Sequence, residues 1–129
     1  MSMSRRHIKN NTLELLDGEN NAVLSVFEFM RENVMVMELK GQIKNEVAHS
    51  LGDEIDSASF ACERLEIDMS GVSYIAGMGL EILGKTQSEI EAEAGPEIVL
   101  TNVPEVLAAK LREAGYGGKI EIIDRDGRG

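Results

Sequence analysis

The sequence predicts an α/β domain: a mixed sheet of four or five strands with about three main helices packed against it. Three observations carry that expectation. The 129 residues suit one domain. Alternating or continuous apolar runs appear first as two neighbouring strands. Helical stripes and short strands then take turns to the end of the chain. Two adjacent strands followed by helix–strand repeats join a hairpin to crossovers, which requires a mixed sheet.

Residues 1–21 are polar apart from Leu13, Leu15 and Leu16, and read as a flexible N-terminal arm. The domain is expected over 22–124, with 125–129 as a tail. Residues 22–30 form a first strand. Residues 34–40 form a second, its near-continuous apolar run suiting a strand covered on both faces. Arg31, Glu32 and Asn33 turn the chain between them, and Gly41 is expected to end the second strand. Val47, Leu51 and Ile55 stand at four-residue steps and mark one face of a helix over 45–59.

Residues 64–69 alternate cleanly as a third strand, and 70–74 read as a loop or turn. From Gly77 to about Ala94 the stripe Leu80, Leu83, Gln87, Ile90 and Ala94 marks a second helix, stopped by Gly95 and Pro96. Residues 97–100 are a short apolar strand. Asn102 then reads as an N-cap with Glu105 as its capping-box partner, and Pro104 suits the first turn. Val106, Leu107 and Leu111 line the inner face of a third helix, Gly115 is a left-handed C-cap, and 119–123 form a last strand.

Charge and composition exclude several classes. Thirteen Lys and Arg against 23 Asp and Glu give a net charge of −10, which opposes general nucleic-acid binding. Apolar residues at 43% suit a packed core. The single cysteine, Cys62, has no partner for an internal disulfide, and His7 and His49 are too few and too far apart for a zinc site. No metal and no cofactor is expected. No apolar run approaches the roughly 18 residues of a membrane span, so no direct membrane insertion is expected. Arg5 and Arg6 lack the apolar run of a signal peptide, and a cytoplasmic setting follows.

Enzyme chemistry has little to stand on. Neither histidine lies in a nucleophile context, His49 reads as solvent-facing, and no enzyme is expected. Asp68 ends an alternating strand and reads as an acceptor for the turn at Ser70 and Gly71. Cys62 reads as a small packed residue at a helix end. The methionines Met35, Met37 and Met69 fall in strands and read as core. Met78 stands between two glycines and reads as exposed. Gly77 and Gly79 let a backbone or an anion approach a helix start, but the third glycine of a dinucleotide fingerprint is replaced by Ile82. Gly84-Lys85-Thr86 would place a Walker lysine inside the helix rather than at its start.

The run Leu65-Glu66-Ile67-Asp68-Met69-Ser70-Gly71-Val72-Ser73-Tyr74-Ile75 resembles the signature strand and turn of STAS domains, the family of sulphate-transporter tails and bacterial anti-sigma factor antagonists. Gly41-Gln42-Ile43 resembles the Gly-x-Leu that follows the family's second strand. Leu100-Thr101-Asn102 and the segment from Leu111 to Gly115 resemble its last third. The likeness runs from about Leu24 to Ile123 and implies the STAS fold.

The resemblance also implies a function: protein binding in a partner-switching pathway of transcription regulation, as an anti-sigma factor antagonist (anti-anti-sigma factor). The partner implied is an anti-sigma factor that is also a serine kinase. Phosphorylation of a serine at the start of the second helix breaks such complexes, because phosphate brings about −1.5 to −2 charges into a packed contact. Here Ala76-Gly77-Met78-Gly79 stands in place of Asp-Ser-Ser-Gly. Gly77, at the phosphoserine position, has no hydroxyl, and Lys44 replaces an acidic residue after Gly-x-Leu. The contact surface is expected at Ala76, Gly77, Met78, Gly79 and Leu80, with Tyr74 and Lys44 nearby. Alternatives are the small STAS subunit of a membrane ABC lipid-transport complex, and a module binding a nucleotide or anion at the Gly77 and Gly79 amides. Self-association into a homo-oligomer stays open.

Overall fold

The computed structural model describes residues 5–8 and 11–123, with side chains over 11–123. The elements are β1 (Arg5–Ile8), β2 (Thr12–Leu16), β3 (Ala22–Arg31), β4 (Val34–Ile43), α1 (Asn45–Ser59), β5 (Arg64–Ile75), α2 (Gly77–Ala92), β6 (Glu97–Val103), α3 (Glu105–Glu113) and β7 (Lys119–Ile122). The strands join one sheet in chain order, β1 to β7. The first four pair antiparallel and β4 to β7 pair parallel. Each parallel step is a helix-bearing crossover, and right-handed crossovers that advance in one direction lay their helices on one face.

Alternation explains the two faces. Val26 pairs with Leu39, Met37 with Ile67, and Leu65 with Ile98, placing these residues on the face that the helices cover. All six are buried. The opposite face carries the intervening residues, among them Arg64, whose guanidinium meets Glu66 and Glu97 at 3.0 Å each. These partly exposed pairs organise the surface but contribute little to stability.

The sheet is larger than the sequence predicts, and the arm is the reason. Residues 12–16, expected in a flexible segment, are β2. Its Leu13 and Leu15 pair with Val26 and Leu24 and are buried in the core with Leu16. A five-residue strand becomes stable only when paired, here with β3 across a short connection, and the three leucines supply the burial. With β1 beyond it, the sheet has seven strands rather than four or five. The tail expected at 125–129 lies outside the described residues.

Two strand ends also differ from expectation. β4 does not stop at Gly41 but continues to Ile43, and β5 runs through the expected loop at 70–74 to Ile75. Register shifts between Glu38 and Lys40 and between Gly41 and Gln42 break the period of two, so the alternation loses phase while pairing continues. Gly41 sits at φ +122, where a β-carbon would run into the Val23 carbonyl oxygen.

The helices match the periodic reading, with two changes at caps. Asn102 is not an N-cap. It stays in β6 at φ +52, a left-handed conformation that asparagine tolerates, and Pro104 takes the cap position. The end of α3 is as expected. Gly115 adopts φ +87, the Tyr116 amide donates to Leu111 O at 3.0 Å and the Gly115 amide to Arg112 O at 3.0 Å, which is a Schellman closure. α2 ends in the same pattern, but the left-handed position is Ala94 at φ +58 rather than Gly95.

Candidate functional site

The site expected from sequence is built where two parallel strands end together. Ile43 of β4 and Ile75 of β5 are register partners, and each is followed within two residues by a helix. The linking residues Lys44 and Ala76 are both extended, with ψ of 163° and 165°, and neither helix start has a side-chain cap of its own. The Ala76 amide instead donates to Ile43 O at 2.8 Å. The α1 and α2 starts thus stand side by side at the C-terminal edge of the parallel sheet, where open α/β folds place their ligand and partner surfaces.

The seven residues named from the sequence divide into two groups. Ala76 and Gly79 face inward and are buried. A β-carbon on Gly79 would lie 2.7 Å from Ile43 Cγ2 and 3.1 Å from Ile75 Cγ2, so this glycine permits the close approach of helix to sheet. Gly77 and Met78 face out. Nothing lies within 4 Å of a β-carbon built on Gly77, and Met78 is 38% exposed. Tyr74 is 44% exposed, while Leu80 and Lys44 are half-buried. Leu80 packs against the core, which leaves Gly77, Met78 and Tyr74 as the most accessible part of the group.

Three side chains at or below this corner take contacts that sequence reasoning did not foresee; Asn45 and Lys110 were not singled out at all, and Asn102 was read as a cap. Asn45, the first residue of α1, accepts the Met78 amide through Oδ1 at 3.1 Å and so supplies the cap that α2 lacks. Its signal is an asparagine at a helix start, but its target lies on another helix. Lys110 of α3 places Nζ 5.1 Å from the Tyr74 ring centroid, a cation–π contact from a distant segment. Asn102 donates to Asp68 Oδ2 at 3.2 Å, linking β6 to β5.

The α2 side of the corner is uncharged, whereas α1 begins at Lys44 and carries Glu46 in its first turn. The first turn of α2 carries no acidic residue, so its N-terminal dipole is not neutralised from within the helix. Lys44 and Lys110 flank it, and Asp17, whose carboxyl is held below the usual range mainly by backbone amides of Asn21 and Glu19, also feels the Lys44 charge.

Other candidate residues fall as the sequence reading placed them. Asp68 Oδ1 accepts the Ser70 amide at 2.9 Å. His49 is exposed. Met37 and Met69 are buried, and Met35 packs partly buried against the core. Cys62 lies just past the end of α1, donates weakly to Ala58 O at 3.5 Å, and has its thiol pushed up by burial, the opposite of an activated nucleophile. Among the described residues, no group of three or more His, Cys, Asp or Glu could hold a metal ion, and no helix is long and apolar enough to cross a membrane.

The seven-stranded mixed sheet with three crossover helices brings two helix starts together at its edge. The family model described as "Mlab, STAS domain" matches residues 26–123, and the chain belongs to the STAS domain family. Its fold is that of the anti-sigma factor antagonists. The antagonist SpoIIAA in its unphosphorylated form superposes with a TM-score of 0.60 at 17% identity, covering 78% of this chain and 91% of that one. A variant of RsbS from Moorella thermoacetica gives 0.63 at 19% identity, covering 79% and 90%. An anti-sigma factor antagonist from Mycobacterium paratuberculosis gives 0.61 at 21%, covering 80% and 89%. No curated protein is matched by the sequence.

Proposed function

We propose that this chain is a non-enzymatic regulator that binds a protein partner as anti-sigma factor antagonists do, through the corner where α1 and α2 begin, and that it lacks a phosphorylation switch there. The observation that carries the reading is Gly77. The resemblance aligns it with the family's phosphoserine position; it faces outward with open space around it, and it has no hydroxyl to modify. Around it, Met78 and Tyr74 offer an apolar contact without a charge of their own. Such a corner stays competent to bind whether or not a kinase acts. The partner is an anti-sigma factor of the serine-kinase type, and Lys44 lies at the edge of the contact.

The test is a pull-down against the anti-sigma factor kinases of the source organism. Gly77→Asp places a carboxylate where phosphate would stand, and Met78→Arg places a cation in the apolar contact. Both positions are exposed, so circular dichroism is expected to stay unchanged while partner capture is lost. Unaltered capture by both variants sinks the assignment.

A second reading has one observation in its favour, the family description naming Mlab. In that reading the same corner docks the ATPase subunit of a lipid-transport complex, as the lone STAS subunit. The two readings separate by which protein co-purifies with the unmodified chain and loses contact on Met78→Arg: an anti-sigma kinase or a transport ATPase.

A further inference from the structure

A groove of about 510 Å³ lies at the opposite edge of the sheet from this corner, where α1 and α2 end and β5 and β6 begin. Cys62, Ile90 and Pro96 line it, and Phe60 borders it. Phe60 is the C-cap of α1. Its amide donates to Ser57 O at 3.3 Å, and its ring is 85% exposed, more than any other large apolar side chain among the described residues. An exposed aromatic ring beside an apolar groove marks an interaction surface.

The rim of the groove is acidic. Asp56, Glu63 and Glu93 border it and are exposed, and among the described residues no basic side chain does so. Asp56 also borders a smaller recess that holds Lys85, whereas Glu63 and Glu93 belong to the groove alone. Arg64, next to Glu63 in the chain, is engaged by Glu66 and Glu97 at 3.0 Å each. The helix ends add to the same sign. α1 and α2 both end here, and neither has a basic residue in its last turn, whereas α3 carries Lys110 and Arg112 in its own. The negative ends of two helix dipoles therefore stand without a cation from within their helices.

We propose that this groove docks a basic amphipathic segment of a second protein. Its apolar side chains seat on Ile90 and Pro96 beside Phe60, and its Lys or Arg residues meet Glu63, Glu93 and the two helix ends. An apolar face laid in a groove is a recurring mode of peptide recognition, and complementary charge at the rim sets orientation and speeds encounter. The same field opposes nucleic acid and anionic lipid surfaces. The groove and the partner-binding corner lie at opposite ends of α1 and α2, so both can be occupied at once and each stands or falls separately.

The experiment is fluorescence anisotropy of labelled model peptides titrated with the full chain. The probe is an amphipathic Leu/Lys helix. A Leu/Glu helix with the same apolar face and a Ser/Lys peptide with the same charge are the comparisons. Saturable binding of the Leu/Lys helix alone is expected. Phe60→Ser and the pair Glu63→Lys with Glu93→Lys should each weaken it about tenfold or more. These residues are exposed, so the circular dichroism spectrum is expected to stay unchanged. Glu105→Lys, at the far edge on α3, changes the net charge as much as Glu93→Lys and should leave binding intact. Equal weakening by Glu105→Lys and Glu93→Lys would show attraction to the net charge alone and overturn the proposal. Equal binding of either comparison peptide overturns it too, as does binding that Phe60→Ser leaves unchanged.

Discussion

The carboxamide of Asn45 accepts the backbone N–H of Met78 at 3.1 Å, so the first residue of α1 caps the first turn of α2. Neither helix has a cap within its own sequence. The contact ties the two starts that define the corner, and it leaves the Met78 side chain facing outward.

Removing that acceptor tests its weight. Asn45→Ala is expected to cost about 1 kcal/mol in urea unfolding, the usual value of a helix cap, whereas Asn45→Asp keeps an acceptor and is expected to cost less. An equal loss from both variants would show that the capping oxygen contributes nothing.

The two glycines flanking Met78 should respond in opposite directions. Gly79→Ala forces a β-carbon to 2.7 Å from Ile43 Cγ2 and should destabilise by about 1–3 kcal/mol. Gly77→Ala meets no neighbour and should raise stability by about 0.4–1 kcal/mol, because it narrows the unfolded ensemble. Denaturant midpoints of the two variants decide the point.

The end of α2 offers a stabilising change. Ala94 holds φ +58, a conformation that costs a residue with a β-carbon about 1–2 kcal/mol, and glycine carries no such cost. Ala94→Gly is expected to raise the melting temperature. Gly95→Ala should lower it, since its β-carbon would lie 2.7 Å from Ile90 Cγ2 and 2.9 Å from Ile90 O.

A pH dependence follows from Glu28. This carboxyl on β3 is pushed up to about 8, first by burial and then by its hydrogen bond and like charge with Glu54 of α1, and its Oε2 is buried with no hydrogen-bond partner among the described residues. The folded chain therefore holds a proton that the unfolded chain releases near 4.5. From this group, stability is fully present below the unfolded value and falls as pH rises from about 4.5 to about 8. Glu28→Gln should flatten that part of the stability–pH curve and unfold later than the parent at pH above 8. A parent curve that rises across the window contradicts the assignment.

Much of this molecule was legible from local pattern. The four-residue steps of Val47, Leu51 and Ile55 marked α1, and all three residues are buried on its inner face. Gly115 ended α3 because only the residue's own freedom at positive φ was needed. The corner at residues 76–80 was visible as an uncharged double-glycine turn in a chain of net charge −10. The division within that corner was not visible. Gly77 and Gly79 are the same residue two positions apart, and only the positions of Ile43 and Ile75 make one buried and the other open.

By itself the sequence determined the helices and the α/β class, because helical periodicity and cap chemistry act within a few residues. The tertiary structure alone decided that β2 joins the sheet, that β5 runs to Ile75, that Asn102 turns to Asp68 instead of capping α3, and that Asn45 reaches across to Met78. The last three depend on a partner more than thirty residues away in the chain, and β2 on the strand across its turn. A strand's hydrogen bonds and a side chain's acceptor are satisfied in space, so the segment that needs them does not record where they come from.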